Sequence, residues 1–442
     1  MSERWARMAL SAYRYAGAVV YPFLGGYISW RARKGKEEHH RRRERYGFAS
    51  VERPVGPLVW VHAASVGETG AVIPLTERLL DLGINVVLTT GTVTSARLAE
   101  ERLGDRVIHQ YVPLDLKTAV SRFLEHWHPD LAIFAESEIW PMTVLELGER
   151  SIPQVLVNAR LSDRSFASWK KRSYVAEALL EKLAHVIAQS EDDAERFRQL
   201  GARPVTVSGN LKVDTKVPPV DERTLHLLMR QVGNRPVWAA ISTHDGEEQM
   251  AARIHRNLHE YHSRLLTILV PRHPDRADQI TRMLTTQGLT VARRSLNEPI
   301  EANTDIYLGD TIGEMGLYLR LTEVAYVGRS MALAVSGGQN PLEPAILETA
   351  ILSGPNIGNF RDSYQRLEEE GAARIVNTPG ELEEAIDLLL TNNNQREKMM
   401  LAAARTVEDM KGALNITLST LEPFVHPLVV KSRLGTTRFR MR

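Results

Sequence analysis

The stretch WVHAASVGETG, residues 60–70, joins an apolar run to small residues and then to a carboxylate, Glu68, set between Gly67 and Thr69. The run from Leu58 reads as a buried strand, Gly67 permits a tight turn, and a helix begins beside Glu68. Ligands of open α/β sheets bind beyond the carboxyl ends of the strands, so chemistry is expected at this junction. The positive end of the helix dipole favours an ionised Glu68 there. An ionised carboxylate in a cleft can take a proton from an attacking hydroxyl. An acid that only caps the helix would read the same, and the stretch by itself leaves both readings open.

The surrounding chain repeats the pattern. Apolar runs at 58–64, 85–91, 108–114, 131–137, 154–160, 185–190 and 205–210 alternate with helical spacings such as GAVIPLTERLLDLG and KTAVSRFLEHW. Strands that are continuously apolar, separated by helices, argue for a parallel sheet covered on both faces. KVDTKVPPVDERT (212–224), with adjacent prolines and many charges, reads as a linker. The pattern then restarts at 236–243, 265–271, 290–295, 305–309, 323–328, 350–354 and 373–376. A chain of 442 residues exceeds one ordinary core, which agrees with two Rossmann-like halves.

Bulk properties exclude several classes. The net charge of +1 gives no uniform field, so no nucleic-acid partner is expected. The absence of cysteine excludes disulfides, thiolate metal sites and cysteine nucleophiles. Neither G-x-G-x-x-G nor a Walker A sequence occurs, so a nicotinamide or ATP cofactor has no support. Two nucleotide-type halves without those signatures suggest, by analogy, a nucleotide-sugar enzyme with its site in the interdomain cleft.

The N-terminus differs from the rest. MALSAYRYAGAVVYPFLGGYISW (8–30) is apolar and tyrosine-rich, and RARKGKEEHHRRRERYG (31–47) is dense in Arg and Lys. An apolar stretch with an aromatic flank and a basic border reads as a membrane-associated helix. Arg14 and Pro22 interrupt it, so a helix lying in the interface is an equal alternative to a span.

Other strand ends also carry polar groups. FAESEIWP (134–141) brings Glu136 and Glu138, and SGNLKVD (208–214) brings Lys212, a cation able to stabilise developing negative charge. VPRHPDR (270–276) places Arg272 and His273 after a strand, and Arg suits bidentate phosphate contact. GDTIGEMG (309–316) offers glycines and backbone donors ahead of a helix. In SGGQNPLEPA (336–345), Asn340 can bond a ligand, Pro341 suits a helix start, and Glu343 can grip a ribose diol. STHDGEE (242–248) repeats the strand–turn–acid arrangement of the first half. His255, His259 and His262 recur at helical spacing, but no carboxylate pattern completes a zinc motif, and a solvated helix face is the expectation.

Taken in order, VHAASVGE, TTGTVTS, YVPLDL, AESEIWP, NARLSDRS, AQSEDDAERF, GNLKVD, STHDGEE, LVPRHPDR, LGDTIGEMG and GGQNPLEPA span about residues 57–365. In these motifs the chain resembles the 3-deoxy-D-manno-octulosonic acid (Kdo) transferases of lipopolysaccharide synthesis. The resemblance implies the GT-B glycosyltransferase fold, two Rossmann-like domains facing a central cleft, with a membrane-associated N-terminal helix. It implies inverting transfer of Kdo from CMP-Kdo to a lipid A precursor at the cytoplasmic face of the inner membrane. By family pattern Glu68 is the base, with Glu136 and Lys212 supporting the transition state. Pro271, Arg272 and His273, then Gly313, Glu314 and Met315, then Asn340, Pro341, Leu342 and Glu343, are implied to bind CMP. No metal and no cofactor are implied, CMP-Kdo being a co-substrate.

The expected domains are a membrane-associated segment (1–47), an acceptor domain (48–214), a CMP-Kdo-binding domain (215–425) and a basic tail (426–442). The family usually has His where Gln339 stands, and Gly is common where this chain has Arg329. A nucleotide-sugar epimerase of the same fold is the alternative; it needs no membrane segment, and residues 8–30 argue against it. A two-lobed solute-binding protein has no use for a base at Glu68.

Overall fold

The computed structural model describes residues 8–15, 17, 24–35, 37–214, 217–331 and 337–440. The chain divides into two compact units, Met1–Thr215 with Lys411–Arg442, and Lys216–Met410.

In the first unit, β1 (Leu58–Ala63), β2 (Asn85–Thr90), β3 (Ile108–Tyr111), β4 (Leu131–Ala135), β5 (Gln154–Ala159), β6 (His185–Ala188) and β7 (Val205–Val207) form one sheet. The order is β3-β2-β1-β4-β5-β6-β7, and the pairings are parallel. Strands β1, β4 and β5 are buried along their whole length. Side chains alternate between the two faces. Val59, Val61 and Ala63 join one core with Leu75 and Leu79. Leu58 and Trp60 join the other with Phe123, Trp127 and Phe134. Covering both faces is what makes the strands read as unbroken apolar runs.

In the second unit, β8 (Val237–Thr243), β9 (Leu266–Pro271), β10 (Val291–Arg293), β11 (Ile306–Leu308), β12 (Val324–Val327), β13 (Ala350–Ser353) and β14 (Ala373–Ile375) pair in parallel. The order is β10-β11-β9-β8-β12-β13-β14. Trp238, Ala240, Leu269, Tyr326 and Leu352 pack with Ile254 and Leu258 of the helix Glu247–His259. All fourteen runs expected from the sequence are strands. Each sheet has a switch point where the chain reverses its direction of growth, between β1 and β4 and between β8 and β12.

Two expectations are corrected at the ends of the chain. Residues 411–425 were expected in the second domain and 426–442 as a tail. Instead the helix Ala413–Arg440 belongs to the first unit, and its Leu421, Val425, Leu428 and Val429 complete the core under β1. Asp214 accepts from the backbone N–H groups of Gly412 and Leu414, and Lys431 pairs with Asp130 at 2.8 Å.

The basic run at 41–45 is also not a free patch. Arg45 is buried, bonding Glu37 and the Gly91 carbonyl, while Glu44 accepts from Arg41 and from the Tyr111 N–H. These contacts tie the stretch His39–Tyr46 to the first unit. Residues 16, 18–23 and 27 of the expected membrane helix lie outside the described residues or their side chains do, and among the described residues no helix is long and apolar enough to cross a membrane.

Candidate active site

At the end of β1, Ser65 is extended (φ −115°, ψ 167°) and caps the helix Val66–Asp81 by accepting from the Glu68 N–H. Glu68 answers: its Oε2 accepts from the Ala64 N–H at 2.7 Å and its Oε1 from the Ser65 hydroxyl at 2.7 Å. The Ser65–Glu68 spacing is that of a capping box, with the carboxylate here reaching the N–H of Ala64, one residue before the cap. The capping reading is therefore realised, and Glu68 remains only partly buried. The helix dipole alone predicted a readily ionised carboxylate. Burial, followed by the neighbouring charges of Glu136 and Glu138, instead raises its pKa, against the bonds from Ser65 and Ala64.

Glu136 follows β4 in a left-handed conformation, φ 53°, sparsely populated for a non-glycine residue. Its N–H bonds the Val157 carbonyl, and its Oε1 meets Lys212 Nζ at 2.7 Å, both side chains being largely buried. Lys212 Nζ lies 3.8 Å from where a Cβ on Gly67 would stand, which places the lysine beside the Glu68 turn. Asn158 of β5 steadies that lysine's loop by accepting from the Leu211 N–H, and Asn210 accepts from the Lys212 N–H. The predicted trio Glu68, Glu136 and Lys212 is thus brought together around the β1–β4 switch point. Lys212 arrives already paired with Glu136.

Two residues that the sequence did not single out complete the group. His62 is fully buried, with Nδ1 against the Thr89 carbonyl (3.1 Å) and hydroxyl (2.9 Å), and Nε2 3.6 Å from Glu138. Trp140 donates its indole N–H to Glu138 Oε2 at 2.7 Å. The following helix, Pro141–Glu149, has no side-chain cap from its own N-cap residue; Asp115, after β3, accepts from the Met142 and Thr143 N–H groups instead. Burial raises the Asp115 pKa against those bonds.

The second unit gathers cations at its switch point. Arg272 and His273 follow β9 with exposed side chains, and the Arg272 N–H bonds the Thr243 carbonyl at the end of β8. The His273 ring meets His244 edge-on at 5.6 Å. Gln339 donates its amide N–H to His244 Nε2 at 3.1 Å. Burial lowers the His244 pKa, and the nearby charges of Arg329, His273 and Arg272 add to the effect against Glu247. The setting suits an anion.

Glu247 organises this surface, and residue type gave no sign of it. Only 2% exposed, it accepts from the backbone N–H groups of His244, Arg329, Ser330 and Met331 and from the Tyr326 hydroxyl. The loop after β12 is wrapped around one carboxylate. Gly328 is required there, since a Cβ would sit 2.7 Å from the Ser242 carbonyl oxygen.

The remaining predicted residues divide. Gly313 adopts φ 84°, but the Glu314 carboxylate is committed to Arg294 (2.7 and 3.0 Å) and to the Thr311 hydroxyl. Asn340 Oδ1 accepts from the Leu342 N–H at 3.1 Å, and Glu343 is partly buried. Pro271, Pro341 and Leu342 are buried, Leu342 completely, so they pack rather than present side chains. The expected solvated histidine face holds at His259, which is exposed, and is corrected elsewhere: His255 is buried against Thr267 and Asp305, and His262 bonds Asp387 at 2.7 Å.

Comparison with known proteins places these clusters in context. Residues 40–215 match the family model described as 3-deoxy-D-manno-octulosonic-acid transferase (kdotransferase). The chain is 34% identical over 418 residues to the 3-deoxy-D-manno-octulosonic acid transferase of Haemophilus influenzae, covering 92% of this chain and 96% of the relative. It is 36% identical over 398 residues to that of Bordetella pertussis, covering 86% and 91%.

Among solved structures it is similar in fold to a glycosyltransferase from Rickettsia africae, with a TM-score of 0.58, 11% identity and coverage of 84% of this chain and 99% of that one. It is likewise similar to the UDP-GlcNAc 2-epimerase from Neisseria meningitidis, with a TM-score of 0.58, 14% identity and coverage of 82% and 99%. Both transferases and epimerases share the architecture, so the fold leaves the activity open, and the full-length sequence likeness decides it. The chain belongs to the 3-deoxy-D-manno-octulosonic acid transferases, a family of glycosyltransferases.

Proposed function

We propose that this transferase moves Kdo from CMP-Kdo to a sugar hydroxyl of a lipid A precursor, with inversion, at the cytoplasmic face of the inner membrane. Glu68 takes the proton of the acceptor hydroxyl as that oxygen bonds the anomeric carbon of Kdo. The bond from that carbon to the CMP phosphate oxygen breaks on the opposite face, and CMP leaves with the electron pair. A single displacement inverts the configuration.

The observation that carries this reading is the carboxylate of Glu68, set beside the Glu136–Lys212 pair and pushed up in pKa by burial, then by Glu136 and Glu138. A carboxylate raised toward neutrality is a stronger proton acceptor than a free one. Glu136 and Lys212 then fix the field around the reacting atoms. On the donor side, Arg272, His273 and the Gly313–Met315 and Asn340–Glu343 stretches bind CMP, Arg272 taking up phosphate charge. The chemistry proposed needs neither a metal nor another cofactor.

Membrane association is proposed in its interfacial form. Met8, Tyr15 and Trp30 are exposed at 60%, 72% and 48%. Lys34 stacks on the Trp30 ring, and Arg43, farther along the basic run, is also exposed. Aromatic and basic residues of this kind suit the headgroup layer.

The test is incubation of the full chain with CMP-Kdo and a tetra-acylated lipid A precursor. Release of CMP together with a lipid heavier by Kdo is expected, with the anomeric configuration of the product opposite to that of the donor. No product with any lipid A precursor removes the proposal.

A further inference from the structure

Trp140 is 40% exposed at the mouth of the acidic cluster, an unusual position for the largest apolar side chain. The local chain explains why it cannot turn inward. Its neighbour Ile139 takes the inward place, packing against the core of Trp60, Phe134 and Leu147. Pro141 starts a helix immediately after it, and Asp115 holds that helix by its first backbone N–H groups. The indole N–H is fixed to Glu138 at 2.7 Å, and Glu138 stands over buried His62. The ring is thus held in backbone and side chain while the residue stays 40% exposed.

We infer that Trp140 is the platform on which the acceptor sugar ring stacks. This rests on the proposal that Glu68 activates an acceptor hydroxyl. The surroundings select the kind of ligand. Glu68 and Glu138, beside the Glu136–Lys212 pair, offer carboxylate oxygens to hydroxyl groups, which donate to them. A pyranose has such hydroxyls at its edge and an apolar C–H face that covers an indole. Glu138 acts as a positioning residue: it aims the ring and leaves the reacting atoms to Glu68.

Steady-state kinetics of the full chain test this, with acceptor and donor varied in turn and two acceptors used, the acylated precursor and the same disaccharide without acyl chains. Trp140→Ala raises the acceptor KM roughly tenfold, equivalent to about 1.4 kcal/mol of lost binding. The donor KM is unchanged, and the effect is the same for both acceptors. Trp140→Phe, which keeps a smaller ring, gives a smaller rise. Should Trp140→Ala fail to fold, Trp140→Leu supplies the same reading with apolar bulk but no aromatic face.

An unchanged acceptor KM in a folded variant overturns the inference. So does a rise confined to the donor KM, or one seen only with the acylated acceptor, which would make the ring a contact for the lipid chains. In each of these cases turnover by the wild type leaves the proposed reaction standing. A wild-type chain that turns over neither acceptor takes both down.

Discussion

Both oxygens of Glu68 accept hydrogen bonds from the turn that begins its own helix, so the carboxylate is aimed before any substrate arrives. Glu68→Gln keeps the shape and loses the proton acceptor. Its turnover is expected to fall roughly a hundred- to ten-thousandfold, with CMP binding by calorimetry unchanged. Retained turnover would transfer the base role elsewhere.

The pH profile gives a second measurement. Glu68 is held above the usual carboxylate range, and the base works only when ionised, so activity falls as pH drops through that raised value. Glu138 contributes to the rise by like-charge repulsion. Glu138→Gln lowers the Glu68 pKa, and the acid limb of kcat/KM against pH is expected to move to lower pH. A limb that stays put or moves upward would show that another group controls it. At this scale the sequence placed Glu68 at the helix start and left capping and catalysis both open. It could not give the sign of the pKa shift, because that depends first on the burial of the carboxylate in the fold and then on Glu136 and Glu138, which follow a strand nearly seventy residues away in sequence.

The fourteen strands were legible because a sheet buried on both faces leaves continuous apolar runs, a pattern that needs no knowledge of partners. Elements joined by buried polar groups were not. Nothing in the sequence separates Glu247, the carboxylate that holds the loop after β12, from Glu248, which pairs with Arg276 at 2.8 Å. Glu247→Gln sets amide hydrogens against the donors that the carboxylate accepts. It is expected to cost about 2–4 kcal/mol in urea unfolding and to raise the CMP-Kdo KM while sparing the acceptor KM. An unchanged donor KM would reduce Glu247 to a stability residue. Asp115 acts likewise on the helix Pro141–Glu149, and Asp115→Ala is expected to cost about 1–2 kcal/mol as a lost cap. A variant as stable as the wild type would refute the capping role.

Across the whole molecule, the decisive feature is the helix Ala413–Arg440, whose Leu421, Val425 and Leu428 enter the core of the first unit. Its apolar spacing says only that some face is buried, and the sequence reading split it between the second domain (to 425) and a basic tail (426–442). Ending the chain after Met410 strips that face from β1 and the helix Val66–Asp81. Loss of soluble protein is expected, and a well-folded truncation would contradict the packing described. The outgoing chain at Asp214 is hydrogen-bonded to the returning chain at Gly412, so the second unit is a long excursion between two adjacent points. During synthesis the second unit, contiguous in sequence, emerges complete while the earlier-made lobe still lacks its final piece. That lobe keeps apolar surface bare until the segment that seals it has been made.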